Sequence, residues 1–299
     1  MNVSRGWPAP AKLNRFLHVV GRRENGYHEL ETLFQFLDHG DRLDFEVTAD
    51  GNVTRTGGQP GVAAERDLVV RAARALQAAT GERRGARIHI EKRLPAGGGL
   101  GGGSSDAATT LVALNALWGA GLGEAHLADI ALALGADVPV FVYGHAAWAE
   151  GVGEQLTPVD PDEPWFLVVD PGASVGTAEV FGAPKLTRNT PRIRIPRLET
   201  GSLRNDCEPV VRALYPEVGR ALDWLGRFGD ARLTGTGGCL FAAFPDRAQA
   251  DAVRSRLPAP WRGFVARGLN GSPLRQRLSA WQAQEACGAT EDNWGVAKR

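Results

Sequence analysis

Residues 94–110 read Leu-Pro-Ala-Gly-Gly-Gly-Leu-Gly-Gly-Gly-Ser-Ser-Asp-Ala-Ala-Thr-Thr, with six glycines between Gly97 and Gly103. Glycine accepts positive φ and lets the backbone approach a ligand closely. Ser104 and Ser105 are good helix N-cap residues. An apolar helical pattern follows at Leu111, Val112, Leu114, Leu117 and Trp118. A helix N-terminus offers unpaired N–H groups and about half a positive charge. The combination predicts a phosphate cradle made of backbone. The bland alternative is a flexible linker, but linkers seldom run straight into a capped amphipathic helix.

Two phosphate-binding motifs compete for this loop. Gly97, Gly99 and Gly102 satisfy G-x-G-x-x-G. A dinucleotide site also needs a buried strand before the loop and an acidic residue about 20 positions after it. The preceding segment, Ala86 to Arg93, alternates Ile88 and Ile90 with His89 and Glu91 and stops at Pro95. That is a half-exposed strand. Glu124 lies at the right distance, but no strand pattern leads to it. The G-x-x-x-x-G-K-[S/T] pattern fails, because Ser104 follows Gly98 and Gly103 where lysine is required. A lysine for the phosphates must come from elsewhere.

The elements that must position such a loop can be read on either side of it. Ala11 to Val20 predicts a strand with Lys12, Asn14, Phe16 and His18 on one face and Leu13, Leu17 and Val19 on the other. Glu24-Asn25-Gly26-Tyr27 reads as a turn. Strands follow at Leu30–Leu37 and Arg42–Thr48, and a helix at Asp67–Ala79. Glu124–Leu134 reads as a helix closed by Gly135. After Trp165 the order is strand, helices over Asn205–Tyr215 and Glu217–Phe228, two strands around Gly235-Thr236-Gly237-Gly238, helix, strand. This β-α-β-β-α-β order predicts a split-βαβ, ferredoxin-like unit. The glycine turn at 235–238 is either a plain hairpin or a lid over a ligand. Gly and Pro cluster at Gly151–Pro164, which sets the expected domain boundary there.

The whole chain bounds these readings. Its 299 residues allow two domains. Lysine plus arginine and aspartate plus glutamate balance at 34 each, so no basic excess argues for nucleic acid. Cys207, Cys239 and Cys287 are scattered and form no C-x-x-C, which predicts a reduced, cytoplasmic protein with buried thiols. No apolar signal core opens the chain and no apolar run reaches membrane length. Both monomer and homodimer remain open. The stretch from 283 to 299 is polar and reads as a disordered tail.

Four segments, in this order, resemble the GHMP small-molecule kinases: Pro10-Ala11-Lys12-Leu13-Asn14, the glycine–serine loop, Gly135-Ala136-Asp137-Val138-Pro139, and Leu233-Thr234-Gly235-Thr236-Gly237-Gly238. Gly26-Tyr27-His28 and the run from Gly144 to Gly153 narrow the likeness to members that act on a cytidine diphosphate conjugate of methyl-erythritol. The resemblance implies an α+β, two-domain protein. Residues 1–152 would form a mixed α/β nucleotide-binding domain and 153–282 the ferredoxin-like domain. It implies ATP, with Mg2+, as cofactors and phosphorylation of one erythritol hydroxyl, the 2-hydroxyl, in non-mevalonate isoprenoid synthesis. It also implies roles for matched positions. Asp137 is the catalytic base and Lys12 the active-site lysine. Pro95, Ala96, Gly97, Gly98, Gly99, Leu100, Gly101, Gly102, Gly103, Ser104 and Ser105 hold the ATP phosphates, with Leu68 near adenine. Tyr27, His28 and Phe181 hold cytosine. Asn14, Phe34, Val152 and Thr177 contact the substrate.

These roles make chemical sense. Phosphoryl transfer needs positioning and charge stabilisation, an accepting carboxylate and a mobile cation. Asp67 departs from the expected asparagine: it can cap a helix but cannot donate to adenine. No acidic pair defines a magnesium site, and Ser104, Ser105, Asp106 and Asp137 are the candidates. Other readings are a homoserine, mevalonate or sugar kinase of the same superfamily, or a nucleotide-binding regulator without catalysis.

Overall fold

The computed structural model describes residues 3–193 and 203–292, with side chains through 287 at the C-terminal end. Two long strands carry the architecture. β1 (Val3–Arg22) and β2 (His28–Thr48) form an antiparallel hairpin around the 23–27 turn. β2 runs unbroken where the sequence suggested two strands separated at Asp38–Asp41. Gly40 makes this possible, since a side chain there would collide with the backbone of Ala9 and Pro10. Register shifts beside Trp7 and Pro10 absorb the prolines of β1, which cannot donate to a ladder.

On the far side of β2 lie β4 (Gly85–Glu91) and, parallel to it, β3 (Val53–Gly57). The short hairpin β5 (Ala147–Glu150) and β6 (Gln155–Pro158) also pairs with β2, so residues 151–154 form a turn within this half. The helices α1 (Leu68–Thr80), α2 (Gly102–Leu117), α3 (Glu124–Leu134) and α4 (Val138–Tyr143) complete the half. Their core joins Trp7, Phe36, Phe45, Leu76, Leu111 and Phe141. α2 departs from the amphipathic expectation. Every residue from Ser105 to Leu114 is buried, so the helix is enclosed on all sides.

The C-terminal half contains β7 (Trp165–Asp170), α5 (Thr177–Gly182), α6 (Glu208–Leu214), α7 (Pro216–Leu225), β8 (Arg232–Leu233), β9 (Leu240–Phe244), α8 (Arg247–Arg254) and β10 (Arg262–Leu269). The strand order β10-β7-β9-β8 is the split-βαβ, ferredoxin-like arrangement, with its own core around Leu167, Val169, Leu222 and Leu240. β10 also pairs with β2 at Leu37 and Phe36, which joins both halves in one sheet. Leu13 and Ala11 of β1 pack with Phe166 and Phe241 of the C-terminal half, so the second face of β1 is buried too.

α9 (Pro273–Asp292) returns to the N-terminal half. Leu274 is buried there, Trp281 packs beside it, and Arg275 pairs with Glu124. The polar stretch read as a disordered tail is therefore helical through Asp292, and 293–299 lie outside the described residues. Cys207 and Cys239 are buried as expected, while Cys287 is exposed. Among the described residues no helix is long and apolar enough to cross a membrane.

Candidate active site

Lys12 and Asn14 sit two residues apart on β1, which puts both side chains on one face of the strand. The Lys12 ammonium donates to Asn14 Oδ1 at 2.5 Å and lies 3.2 Å from the Asp137 carboxylate. It also sits 5.0 Å above the Phe34 ring centre. Lys12 is only 2% exposed, so its face of the strand is enclosed. Asp137 N-terminally flanks α4, and its side chain is 39% exposed to the cavity mouth. A buried, pinned cation thus faces an accessible carboxylate.

The glycine loop wraps over this pair. Gly97, Gly99 and Gly101 have φ of 67°, 77° and 72°, a region open to glycine and strained for other residues. The loop's carbonyls are turned into the protein: Leu100 O accepts from Lys12 N at 3.0 Å, Gly98 O from Cys239 N and Gly97 O from Gly238 N, both at 3.2 Å. Thr234 Oγ donates to Gly99 O at 3.3 Å and accepts from Asn14 N at 3.0 Å. A side chain on Gly99 would strike the Thr234 carbonyl, and one on Gly237 would strike Gly99 N. The second glycine turn is therefore a brace packed against the first, and not a plain hairpin.

The helix after the loop begins earlier than Ser104. Its N-cap is Gly101 in the left-handed region, and Gly102 is already helical. Ser104 and Ser105 belong to the first turn, and the cap role read for them is corrected. Ser105 N donates to Gly101 O at 2.8 Å, while the N–H groups of Gly102, Gly103 and Ser104 precede the first intrahelical bond, so the cradle survives the shift. Ser104 lines a cleft with Pro95, Ala96, Gly97, Gly98, Leu100, Gly101, Gly102, Gly103, Leu68 and Asp67. Ser105 is buried instead, and its Oγ has no hydrogen-bond partner. Both oxygens of Asp67 are engaged, one by Val69 N at 2.9 Å and one by Arg55 at 2.7 Å, as its role as a cap requires.

Behind the loop lies a buried charge cluster that the sequence did not signal as a unit. Lys92 bonds Asp41 and, at 2.8 Å, Asp106. Asp41 also accepts from the N–H groups of Arg93 and Leu94, at 2.6 and 2.8 Å, and so secures the entrance to the loop. Burial raises the Asp106 carboxyl to about 7, against the attraction of Lys92, and the charge of Asp41 adds to the rise. Asp106 Oδ1 is buried without a partner.

Gly101 lines both this cleft and a second cavity that holds Lys12, Asn14, Phe34, Asp137 and Gly153. Val152, Thr177 and Phe181 line that cavity and a third one, which also contains Tyr27 and His28. Thr177 Oγ bonds Thr236 Oγ at 3.0 Å. His28 and Phe181 are stacked, with ring centres 4.9 Å apart and planes at 20°. Tyr27 is 65% exposed. Each predicted site residue except Ser105 thus lines one of three connected cavities. Arg188, which bonds His28 Nε2 at 3.0 Å, was not anticipated, because it lies in a stretch without periodicity.

The family described as GHMP kinases N terminal domain matches residues 67–145, and GHMP kinases C terminal matches 189–263. The 4-diphosphocytidyl-2-C-methyl-D-erythritol kinase of Halorhodospira halophila is 64% identical over 276 residues, covering 91% of this chain and 96% of that protein. The protein of the same name from Alkalilimnicola ehrlichii is 59% identical, covering 94% and 97%. A crystal structure of 4-(cytidine 5'-diphospho)-2C-methyl-D-erythritol kinase superposes with a TM-score of 0.79 at 34% identity, covering 90% of this chain and all of that one. A mevalonate kinase structure at 16% identity, TM-score 0.66, shares the fold.

Proposed function

The chain belongs to the GHMP kinases and, within them, to the 4-diphosphocytidyl-2-C-methyl-D-erythritol kinases, and on that premise we propose which residues carry the reaction. The protein is an ATP-dependent small-molecule kinase. It phosphorylates the erythritol part of its cytidine diphosphate conjugate, at the 2-hydroxyl. The observation that carries the assignment of roles is the Lys12–Asp137 pair, 3.2 Å apart, in the cavity between the glycine cleft and the aromatic cavity.

The glycine loop and the first turn of α2 receive the ATP phosphates through backbone N–H groups, with Leu68 beside the base. Lys12, held by Asn14 and shielded by burial, faces the charge that spreads over the transferring group. Asp137 accepts the proton of the attacking hydroxyl. Phe34, Val152 and Thr177 line the erythritol site, and Tyr27, His28 and Phe181 hold the cytosine. Ser104, Asp106 and Asp137 offer oxygen donors, and the unpartnered Asp106 Oδ1 beside the cleft fits an Mg2+ that the phosphates complete. Such an ion would neutralise phosphate charge. Among the described residues no cluster of acidic, His or Cys side chains forms a cage of its own. The cytoplasm fits three thiols in a biosynthetic enzyme.

The test is phosphoryl transfer from Mg-ATP to 4-diphosphocytidyl-2-C-methyl-D-erythritol, read by phosphorus NMR, with homoserine, mevalonate and galactose as rival acceptors. A new phosphomonoester on the cytidine conjugate alone is expected. Turnover of a rival and not of the conjugate would overturn the substrate.

A further inference from the structure

Arg188 stands outside every motif, yet its polar contacts reach both stacked rings' residues in the aromatic cavity, His28 and Phe181. Its Nε donates to His28 Nε2 at 3.0 Å. One terminal nitrogen donates to Leu186 O at 3.1 Å, and the other to Phe181 O at 2.9 Å and Ala183 O at 2.8 Å. Its segment is tied to β1, since Thr190 N donates to Val19 O at 3.1 Å and Thr190 Oγ to Asp206 at 2.6 Å. The guanidinium is thus held by three carbonyls and has little freedom to leave His28.

A guanidinium only donates. The nitrogen it meets on His28 must therefore be an acceptor, and a neutral imidazole whose Nε2 accepts carries its proton on Nδ1. No hydrogen bond from another described residue competes for Nδ1. We propose that Arg188 is a positioning and specificity residue of the base site: it locks His28 as the Nδ1–H tautomer and presents one fixed donor to the edge of a pyrimidine. The proposal rests on the placement of cytosine at Tyr27, His28 and Phe181.

The stack supplies the geometry. With about 3.5 Å between ring planes, a centre-to-centre distance of 4.9 Å means that the rings are offset. His28 then covers part of the Phe181 face and leaves the rest for a flat ring in the imidazole plane. A ring placed there meets the imidazole edge to edge, where an N–H can be read. Cytosine offers an acceptor at N3, and uracil carries a hydrogen there, so a fixed donor favours the first and opposes the second. Arg188 bonds the carbonyl of Phe181 as well, so one side chain sets both members of the stack. Burial first, then the positive charges of Arg188 and Arg22, lower the His28 pKa, which keeps the ring neutral at pH 7.

The experiment has two arms. Nitrogen-15 NMR of histidine-labelled protein without ligand, with the His28 signal assigned by its loss in His28→Gln, reads the tautomer. The wild type should show Nδ1–H. Arg188→Met should shift the ring toward the commoner Nε2–H form, and Arg188→Lys should hold part of the original population. An Nε2–H or charged ring in the wild type, or an unchanged tautomer in Arg188→Met, overturns the proposal. The second arm measures inhibition by CDP and UDP at saturating ATP. The wild type should prefer CDP by about tenfold or more, the scale of one mismatched hydrogen bond. Arg188→Met should narrow the preference to within about threefold, mainly by weakening CDP. A correct tautomer with equal CDP and UDP inhibition overturns the specificity role and the placement of the base. Turnover of the cytidine conjugate in the same preparation keeps that failure separate from failure of the kinase assignment.

Discussion

The phosphate end and the base end of the active site are built in different ways. At the phosphate end the groups are backbone, or side chains on β1 and just before α4, and the two glycine turns lock each other through close contact and three hydrogen bonds from Thr234, Gly238 and Cys239 to the loop's carbonyls. Lys12 is buried and pinned there. At the base end the groups are side chains on a turn, a short helix and an irregular segment. Tyr27 is largely exposed, and the order comes from a single arginine. Chemistry that depends on charge developing at fixed points needs preorganised donors. Recognition of a flat base tolerates adjustable side chains, because stacking has broad geometry.

The sharpest way to break this contrast is at the reacting centre. Asp137→Ala should lower kcat by about 10²–10⁴-fold, roughly 3–5 kcal/mol of barrier, with ATP affinity retained. Steady-state kinetics alongside nucleotide binding decides it, and an unchanged kcat would remove Asp137 from the base role. Gly99→Ala tests the interlock without touching a reactive group. Its positive φ and the collision with Thr234 should displace the loop, at a cost near 10²-fold in kcat/KM. If the variant keeps wild-type kinetics, the two turns are not the rigid pair described above.

Phe181→Ala, at the base end, should raise KM for the cytidine substrate about tenfold to a hundredfold, the worth of one stacking contact of 1–3 kcal/mol, and leave kcat nearly unchanged. A fall in kcat with constant KM would show that base recognition is coupled to the chemistry after all. The smallest effect belongs to Asp106. Its carboxyl titrates near 7 when folded and about 4 when unfolded. Between those values the folded chain holds a proton that the unfolded chain has released. Stability from this group therefore falls as pH rises through that window and is flat above it. Asp106→Asn removes the titration. The difference in Tm, variant minus wild type, should grow more positive from pH 5 to pH 7.5, and a pH-independent difference would place the proton elsewhere.

Much of the phosphate end was legible in residue order. A dense glycine run before a helix, a lysine and an asparagine at strand spacing, and an aspartate before Val138-Pro139 are local patterns with local meaning. The same holds for the ferredoxin-like half, whose alternation of strands and helices implies its sheet order once parallel and antiparallel pairing are considered.

Tertiary structure decided the rest, because those features depend on residues far apart in sequence. Burial of Lys12 follows from β1 being covered on both faces, which its own alternation does not reveal. The start of α2 moved from Ser104 to Gly102 because Gly101 takes a left-handed conformation in a space bounded by Phe141 and Lys12. The Asp41–Lys92–Asp106 cluster brings together three charges that look solvated when read one at a time, and burial, which none of them reveals alone, is what raises the Asp106 carboxyl. Helix α9 has no strong amphipathic stripe, and it is placed by Leu274, Trp281 and the Arg275–Glu124 pair. Local sequence determines what a segment can become and which chemistry its residues can offer. Only the packed chain determines which charges lose their water, which glycines must stay glycines, and that Arg188 stands behind His28.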